Sequence, residues 1–81
     1  MNDTEILDRL KVILREHTSL KVAVTRETAL LSNQVLDSMD FMNYLTAVET
    51  AFHFTISDDD LASRKLGVMG NMVDYIKERA V

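Results

Sequence analysis

A serine lies between two aspartates at the start of an apolar segment, in the stretch QVLDSMDFMNYL at residues 34–45. The hydroxyl of Ser38 could act as a nucleophile if a base lay within reach, or it could be the attachment point of a phosphodiester. A helix N-terminus suits a phosphate because its first backbone N–H groups have no partner inside the helix. The simplest alternative is that Asp37 and Ser38 only cap a helix. The motif alone leaves these three interpretations open.

Catalysis by Ser38 would need a base such as histidine beside the hydroxyl. The chain has two histidines, His17 and His53, and each is expected at the far end of its own helix. The length of a helix would separate His53 from Ser38. We therefore predict that the protein is not an enzyme and has no catalytic residue.

A metal site is the next possibility, since Asp58, Asp59 and Asp60 are three consecutive acids. Consecutive residues on a helix do not converge on one ion, and the spacing of a calcium loop is absent. Ser57 before these acids is instead typical of a helix cap. We predict a helix start here and no metal.

The overall composition narrows the class of protein. With 81 residues, 47% of them apolar, residues 1–81 are expected to form one domain. The absence of cysteine excludes disulfides and cysteine-bound zinc. A net charge of −4 disfavours nucleic-acid binding and favours partners with basic surfaces. We also expect a cytoplasmic monomer without a signal peptide or membrane span.

The apolar spacing predicts which elements position the motif. We expect long helices over residues 3–17, 38–52 and 69–79, and a short helix between Ser57 and Lys65. The predicted inner stripe of the second helix consists of Met42, Leu45, Val48, Ala51 and Phe52. The fold class is therefore all-α: a small four-helix bundle with three long helices, one short helix and a long loop between helices one and two.

In residues 18–36 the apolar side chains follow neither the helical nor the strand spacing for long. We therefore predict an ordered loop, and loops of this length are often functional. A short strand over residues 20–24 is the alternative. The apolar residues expected to fix this loop to the core are Leu20, Val22, Val24, Leu30, Leu31 and Leu36.

Motif, spacing and helix order together resemble those of acyl carrier proteins. The stretch TALLSNQVLDSM at 28–39 resembles the family's approach to its Asp-Ser-Leu motif. AVETAF at 47–52 resembles the end of its second helix, and VMGNMVDYI at 68–76 resembles the start of its last. The likeness covers nearly the whole chain.

The resemblance implies that Ser38 carries 4′-phosphopantetheine. A phosphopantetheinyl transferase would supply this arm from coenzyme A with Mg²⁺, and the arm's thiol would hold an acyl group as a thioester. A chain without cysteine would thus acquire its thiol from outside. Asp37 matches the motif acid, which assists the transferase.

Several residues depart from the family pattern. Val35 stands where the family usually has Gly, and Met39 where it has Leu. The second helix also has fewer acids than the family uses to meet basic partner enzymes, which suggests a dedicated pathway. The expected partner-binding residues are Met39, Asp40, Met42, Asn43 and Glu49.

The cargo has more than one interpretation. Fatty-acid or polyketide synthesis would use an acyl cargo, with a tail enclosed by Met42, Leu45, Phe54, Ile56, Leu61 and Ile76. The stretch VLDSM at 35–39 is similar to D-alanyl carrier proteins, which load an amino acid. A different class of function is a helical protein-interaction module without a prosthetic group, in which Ser38 is only a cap.

Overall fold

The computed structural model describes residues 2–18, 23–31 and 36–79. Over these ranges the chain forms four helices: α1 (Asp3–His17), α2 (Ser38–Phe52), α3 (Asp58–Ser63) and α4 (Met69–Arg79). The extended pairing within the same ranges is a single bridge between Ala29 and Val68. The predicted all-α class, with three long helices and one short one, is confirmed.

Local capping explains where three of the helices begin. In each case a side-chain oxygen just before the helix accepts the backbone N–H three residues further on, which satisfies a donor that has no helical partner. These pairs are Asn2 with Glu5 at 2.8 Å, Asp37 with Asp40 at 2.8 Å and Ser57 with Asp60 at 3.1 Å.

The core lies where α1 packs against both α2 and α4. Its largest fully buried side chains include Tyr44 and Tyr75. The Tyr44 hydroxyl donates to the sulfur of Met69 at 3.8 Å, and burial raises the pKa of Tyr44. The buried residues of the three long helices are Ile6, Leu10, Ile13, Leu14, Phe41, Tyr44, Leu45, Val48, Phe52, Met69, Gly70, Met72, Val73, Tyr75 and Ile76.

The predicted inner stripe of α2 is wrong at Met42, whose side chain is 58% exposed. Phe41 and Tyr44 lie inward in its place, at 5% and 0% exposure. Residues 41, 44, 45, 48 and 52 follow helical spacing as well as the predicted set does, so periodicity alone could not choose between the neighbours Phe41 and Met42.

The loop before α2 supplies the cap that α4 lacks in its own sequence. The N–H of Met69 donates to the carbonyl of Thr28 at 3.0 Å, and the N–H of Gly70 donates to that of Arg26 at 2.8 Å. Leu30 donates in return to the carbonyl of Gly67 at 2.8 Å. Residues 23–31 are therefore fixed against the start of α4, although they are far from it in sequence.

The predicted loop anchors have mixed outcomes. Val24, Leu30 and Leu36 are buried, as expected. Leu31 is 51% exposed, so its prediction as an anchor is wrong. Its neighbour Leu30 is buried, and the N–H of Leu30 is bonded to the carbonyl of Gly67, whereas the side chain of Leu31 faces outward. Leu20, Val22 and most of the alternative strand lie outside the described residues.

The short helix α3 contributes no buried residue and is held largely by one carboxylate. Asp60 Oδ2 accepts the Tyr75 hydroxyl at 2.6 Å and Arg79 Nη2 at 2.9 Å. The hydrogen bond from Tyr75, followed by the Arg79 charge, lowers the pKa of Asp60. Leu61 adds a half-buried contact with the core. This helix is thus tied to α4 mainly through polar groups.

Candidate functional site

Asp37, rather than Ser38, is the capping residue of α2. Its backbone is extended, with φ −81° and ψ 176°, and its Oδ1 accepts the N–H of Asp40 at 2.8 Å. Its carbonyl accepts the N–H of Phe41 at 3.0 Å, the first hydrogen bond of the helix. The interpretation of Ser38 as a cap is therefore wrong, because its neighbour already fills that position.

Ser38 is the first residue of α2, and its side chain is exposed. Over the described ranges, the Ser38 hydroxyl has no hydrogen bond to another residue. In the first turn, the backbone N–H groups of Ser38 and Met39 have no acceptor inside the helix. The positive end of the helix also favours an anion. The residues present therefore fit a phosphodiester on Ser38 Oγ.

An open groove of about 480 Å³ lies beside this serine. Its lining includes Leu31, Leu36, Asp37 and Ser38. Leu31 thus places exposed apolar surface next to the hydroxyl. The sequence carried no signal for this position, because the exposure of Leu31 follows from contacts between the loop and α4.

The exposed face of α2 continues from Ser38 along the helix. Met39 and Met42 are 74% and 58% exposed, and Asn43 is also exposed. Asp40 and Glu49 are only half-buried and fall on opposite flanks of this face, given about 100° of rotation per residue. The five residues predicted for partner binding are therefore divided between a face and its two edges.

Glu49 also has a structural contact that the sequence analysis missed. Its Oε2 accepts the backbone N–H of Ile56 at 2.7 Å, which fixes the connection between α2 and α3. A carboxylate seven residues before an extended segment is too general a pattern to predict such a bond. Reversing the charge of Glu49 would therefore perturb this connection as well as any docking surface.

Each of the two histidines lies at the C-terminal end of its own helix. His53 is the C-cap of α2, exposed and in the left-handed conformation with φ 58°, which confirms its prediction as a polar helix end. A helix of this length separates it from Ser38 by roughly 22 Å. His17 lies in the last turn of α1. Among residues 2–18, 23–31 and 36–79, no hydrogen bond joins Ser38 to either histidine.

A metal site and a membrane span are both unsupported in the described residues. In the described part of the chain, no group of three acidic or histidine side chains could hold a metal ion. Asp58 and Asp59 instead occupy the first turn of α3 beside Asp60. The helices described here include none that is both long and apolar enough to cross a membrane.

The chain is similar to known carrier proteins, among them two acyl carrier proteins. The chain is 29% identical over 80 residues to an acyl carrier protein of Guillardia theta, covering 98% of this chain and 96% of that protein. It is 27% identical over 78 residues to an acyl carrier protein of Lactobacillus acidophilus, covering 95% of each. No family model matches the chain, and no solved structure matches it significantly.

Both relatives are named as carrier proteins and not as enzymes, in agreement with the expectation that this chain is not an enzyme. Their similarity extends over nearly the full length of the chain. The described architecture is an all-helical bundle, as expected from the resemblance. Together, the comparisons show that this chain is similar to acyl carrier proteins over nearly its whole length.

Proposed function

We propose that this protein carries acyl groups as thioesters on 4′-phosphopantetheine attached to Ser38. The observation that carries the proposal is the position of Ser38: its exposed hydroxyl opens α2, while Asp37 alone makes the capping bond. The hydroxyl is therefore available for modification without loss of the helix start. An interaction module that needs Ser38 as a cap has no support from this geometry.

The attachment chemistry follows from the groups at this corner. A phosphopantetheinyl transferase would use coenzyme A and Mg²⁺, and Ser38 Oγ would form the new P–O bond. The serine proton would pass to a base of the transferase, and adenosine 3′,5′-bisphosphate would leave. The unpaired N–H groups of the first turn stabilise the phosphodiester. The arm's thiol supplies the thioester chemistry.

An acyl cargo for fatty-acid or polyketide synthesis is favoured over an aminoacyl cargo. Both similar proteins are named acyl carrier proteins. An apolar tail would fit beneath α3, where the half-buried Phe54, Ile56 and Leu61 pack against the core. Leu45 and Ile76, the two other apolar residues of the predicted lining, are buried at 6% and 1% exposure. Met42 leaves the predicted lining because it is exposed.

The proposal is tested by loading the purified protein. Incubation with coenzyme A, Mg²⁺ and a broad-specificity phosphopantetheinyl transferase should add one phosphopantetheine mass, detected by intact-protein mass spectrometry. Ser38→Ala should remain folded and unmodified. Ser63→Ala, a matched change at another exposed serine, should load like the wild type.

Two results would contradict the proposal. Modification of Ser38→Ala would assign the attachment to another residue. A wild-type protein that several transferases leave unmodified, while circular dichroism shows it folded, would favour an interaction module without a prosthetic group.

A further inference from the structure

We infer that the phosphopantetheine arm, while it carries no cargo, binds in a groove between α1 and α2. We call this the α1/α2 groove. It is open, has a volume of about 660 Å³ and is therefore within the size range of small-molecule sites. Its apolar lining includes the buried Ile13 and the half-buried Ala47 and Ala51. The inference rests on the proposed function and specifies where this chain binds its own prosthetic group.

The α2 side of the groove offers hydrogen bonds to a ligand. Asn43, Thr46 and Thr50 line this side, and they share one face of the helix because their spacing is i, i+3 and i+7. Over the described ranges, the side chains of Asn43 and Thr46 have no hydrogen-bond partner. Thr50 Oγ1 donates to the carbonyl of Thr46 at 3.0 Å and keeps its lone pairs for a further donor. Beyond its phosphate, the arm has two uncharged amides, whose N–H and C=O groups match these partners.

The spacing of the polar residues along α2 also matches the spacing of the amides along the arm. About fourteen bonds separate Ser38 Oγ from the sulfur, and at the advance of an extended chain they span roughly 16 Å, with the two amides at roughly 8 and 12 Å. At about 1.5 Å per residue, Asn43 lies about 7.5 Å and Thr46 about 12 Å beyond Ser38 along the helix. Each amide thus reaches a polar side chain of the groove, and the sulfur falls between Ala47 and Thr50.

Attachment at Ser38 favours the arm over a free ligand as the occupant. A short tether holds the arm at an effective concentration on the order of millimolar, so modest contacts are enough to keep it bound. The methyl and methylene groups of the arm cover the apolar lining, which adds hydrophobic contact to the hydrogen bonds. An adjoining hollow of about 320 Å³ shares Ile13 and Ala51 with the groove and adds Val12. The sulfur end therefore meets apolar surface, and binding shields the thiol from solvent.

The first test compares the unmodified and the loaded wild type by two-dimensional NMR of the backbone amides. Loading changes the signals around Ser38 wherever the arm lies. Binding in the α1/α2 groove should also change the signals of Ile13, Thr50 and Ala51, and it should give nuclear Overhauser contacts between methylenes of the arm and the Ala47 methyl group. An arm that extends into solvent would give neither effect.

The second test measures the rate at which iodoacetamide alkylates the thiol of the loaded protein. The chain has no cysteine, so the arm carries the only thiol. The variant Asn43→Leu combined with Thr46→Val removes two hydrogen-bonding groups with little change in shape. The matched control is Thr55→Val, at an exposed threonine outside the groove. Circular dichroism checks that both variants fold.

We expect the double variant to be alkylated about threefold faster than the wild type, because the loss of two hydrogen bonds weakens binding of the arm and exposes its thiol. Thr55→Val should react at the wild-type rate.

The outcomes separate this inference from the proposed function. If Ser38 is never loaded, the proposed function fails and the inference fails with it. If Ser38 is loaded but the groove signals keep their positions, or the double variant reacts no faster than Thr55→Val, the inference fails and the function stands. Groove signals of the unmodified protein that move with protein concentration would assign the groove to a second copy of this chain and would likewise overturn the inference.

Discussion

Asp37 has two proposed roles, which substitution can separate. Its carboxylate caps α2 through the 2.8 Å hydrogen bond from the N–H of Asp40, and its charge is proposed to assist the transferase. Asp37→Ala removes both the acceptor and the charge. Asp37→Asn removes the charge but keeps an oxygen that caps a helix equally well. The difference between the two variants therefore isolates the charge.

The expected change in stability follows from the capping geometry. Replacing an N-cap aspartate by alanine costs about 1 kcal/mol of folding free energy. In a domain of this size, that loss lowers Tm by about 4–8 °C. Asp37→Asn loses only the attraction between an exposed anion and the helix dipole, about 0.3–1 kcal/mol. Thermal unfolding by circular dichroism should thus rank the wild type above Asp37→Asn, and Asp37→Ala lowest.

Loading by the transferase should give a different ranking. If the enzyme recognises the charge, both Asp37 variants should lose roughly tenfold in kcat/KM, which corresponds to about 1.4 kcal/mol. Ser57→Ala is the matched control, because it removes the equivalent 3.1 Å capping bond of α3 at a distance from Ser38. It should lower Tm and leave loading unchanged. Wild-type loading of Asp37→Asn would refute the role of the charge, and an unchanged Tm for Asp37→Ala would refute the role of the cap.

Three further predictions concern stability. Gly70→Ala should destabilise the protein by about 1–3 kcal/mol in urea unfolding, because the added Cβ would lie 3.0 Å from the carbonyl oxygen of Arg26. The control Gly67→Ala should be tolerated, because its Cβ would meet its nearest neighbour at 3.9 Å. Equal stabilities of the two variants would contradict this prediction. The pKa of Asp60 is lowered in the folded state mainly by the hydrogen bond from the Tyr75 hydroxyl. The ionised Asp60 carboxylate therefore stabilises the fold at pH values above its ordinary pKa of 3.8, and this stabilisation is lost as the pH falls through the lower pKa of the folded state. The loss of Tm caused by Asp60→Asn should therefore be larger at about pH 7 than at about pH 2, and a loss independent of pH would argue against this contact. An octanoyl group on the arm at Ser38 should raise Tm above that of the unacylated form, because each buried methylene contributes about 0.8 kcal/mol to the free energy of unfolding. An alanyl group should leave Tm unchanged. An octanoyl form that melts no higher than the unacylated form would favour a small or amino-acid cargo.

Local patterns in the sequence were sufficient for the helices and for the position of the site. The predicted helices at 3–17, 38–52 and 69–79 have the bounds found in the structure. Capping residues and apolar spacing act within one or two turns, so each signal lies close to the element that it predicts. The Asp37–Ser38 pair is equally local, and its placement at an exposed helix start was predictable for the same reason.

Other features depended on contacts between residues that are distant in sequence. Asp37 and Ser38 are both good caps, and only the backbone geometry assigned the capping bond to Asp37. Packing between elements that are distant in sequence turned Phe41 inward and Met42 outward, although both fit the helical period.

The sequence by itself thus determined the helices, their order and the serine at the start of α2. Tertiary structure decided which side chains surround that serine. The bond from Ile56 to Glu49 removes an acid from the exposed surface, and the attachment of the loop to α4 leaves Leu31 outside. The physical reason is that a helix fixes the direction of each side chain relative to its neighbours, whereas burial depends on which other elements cover that direction.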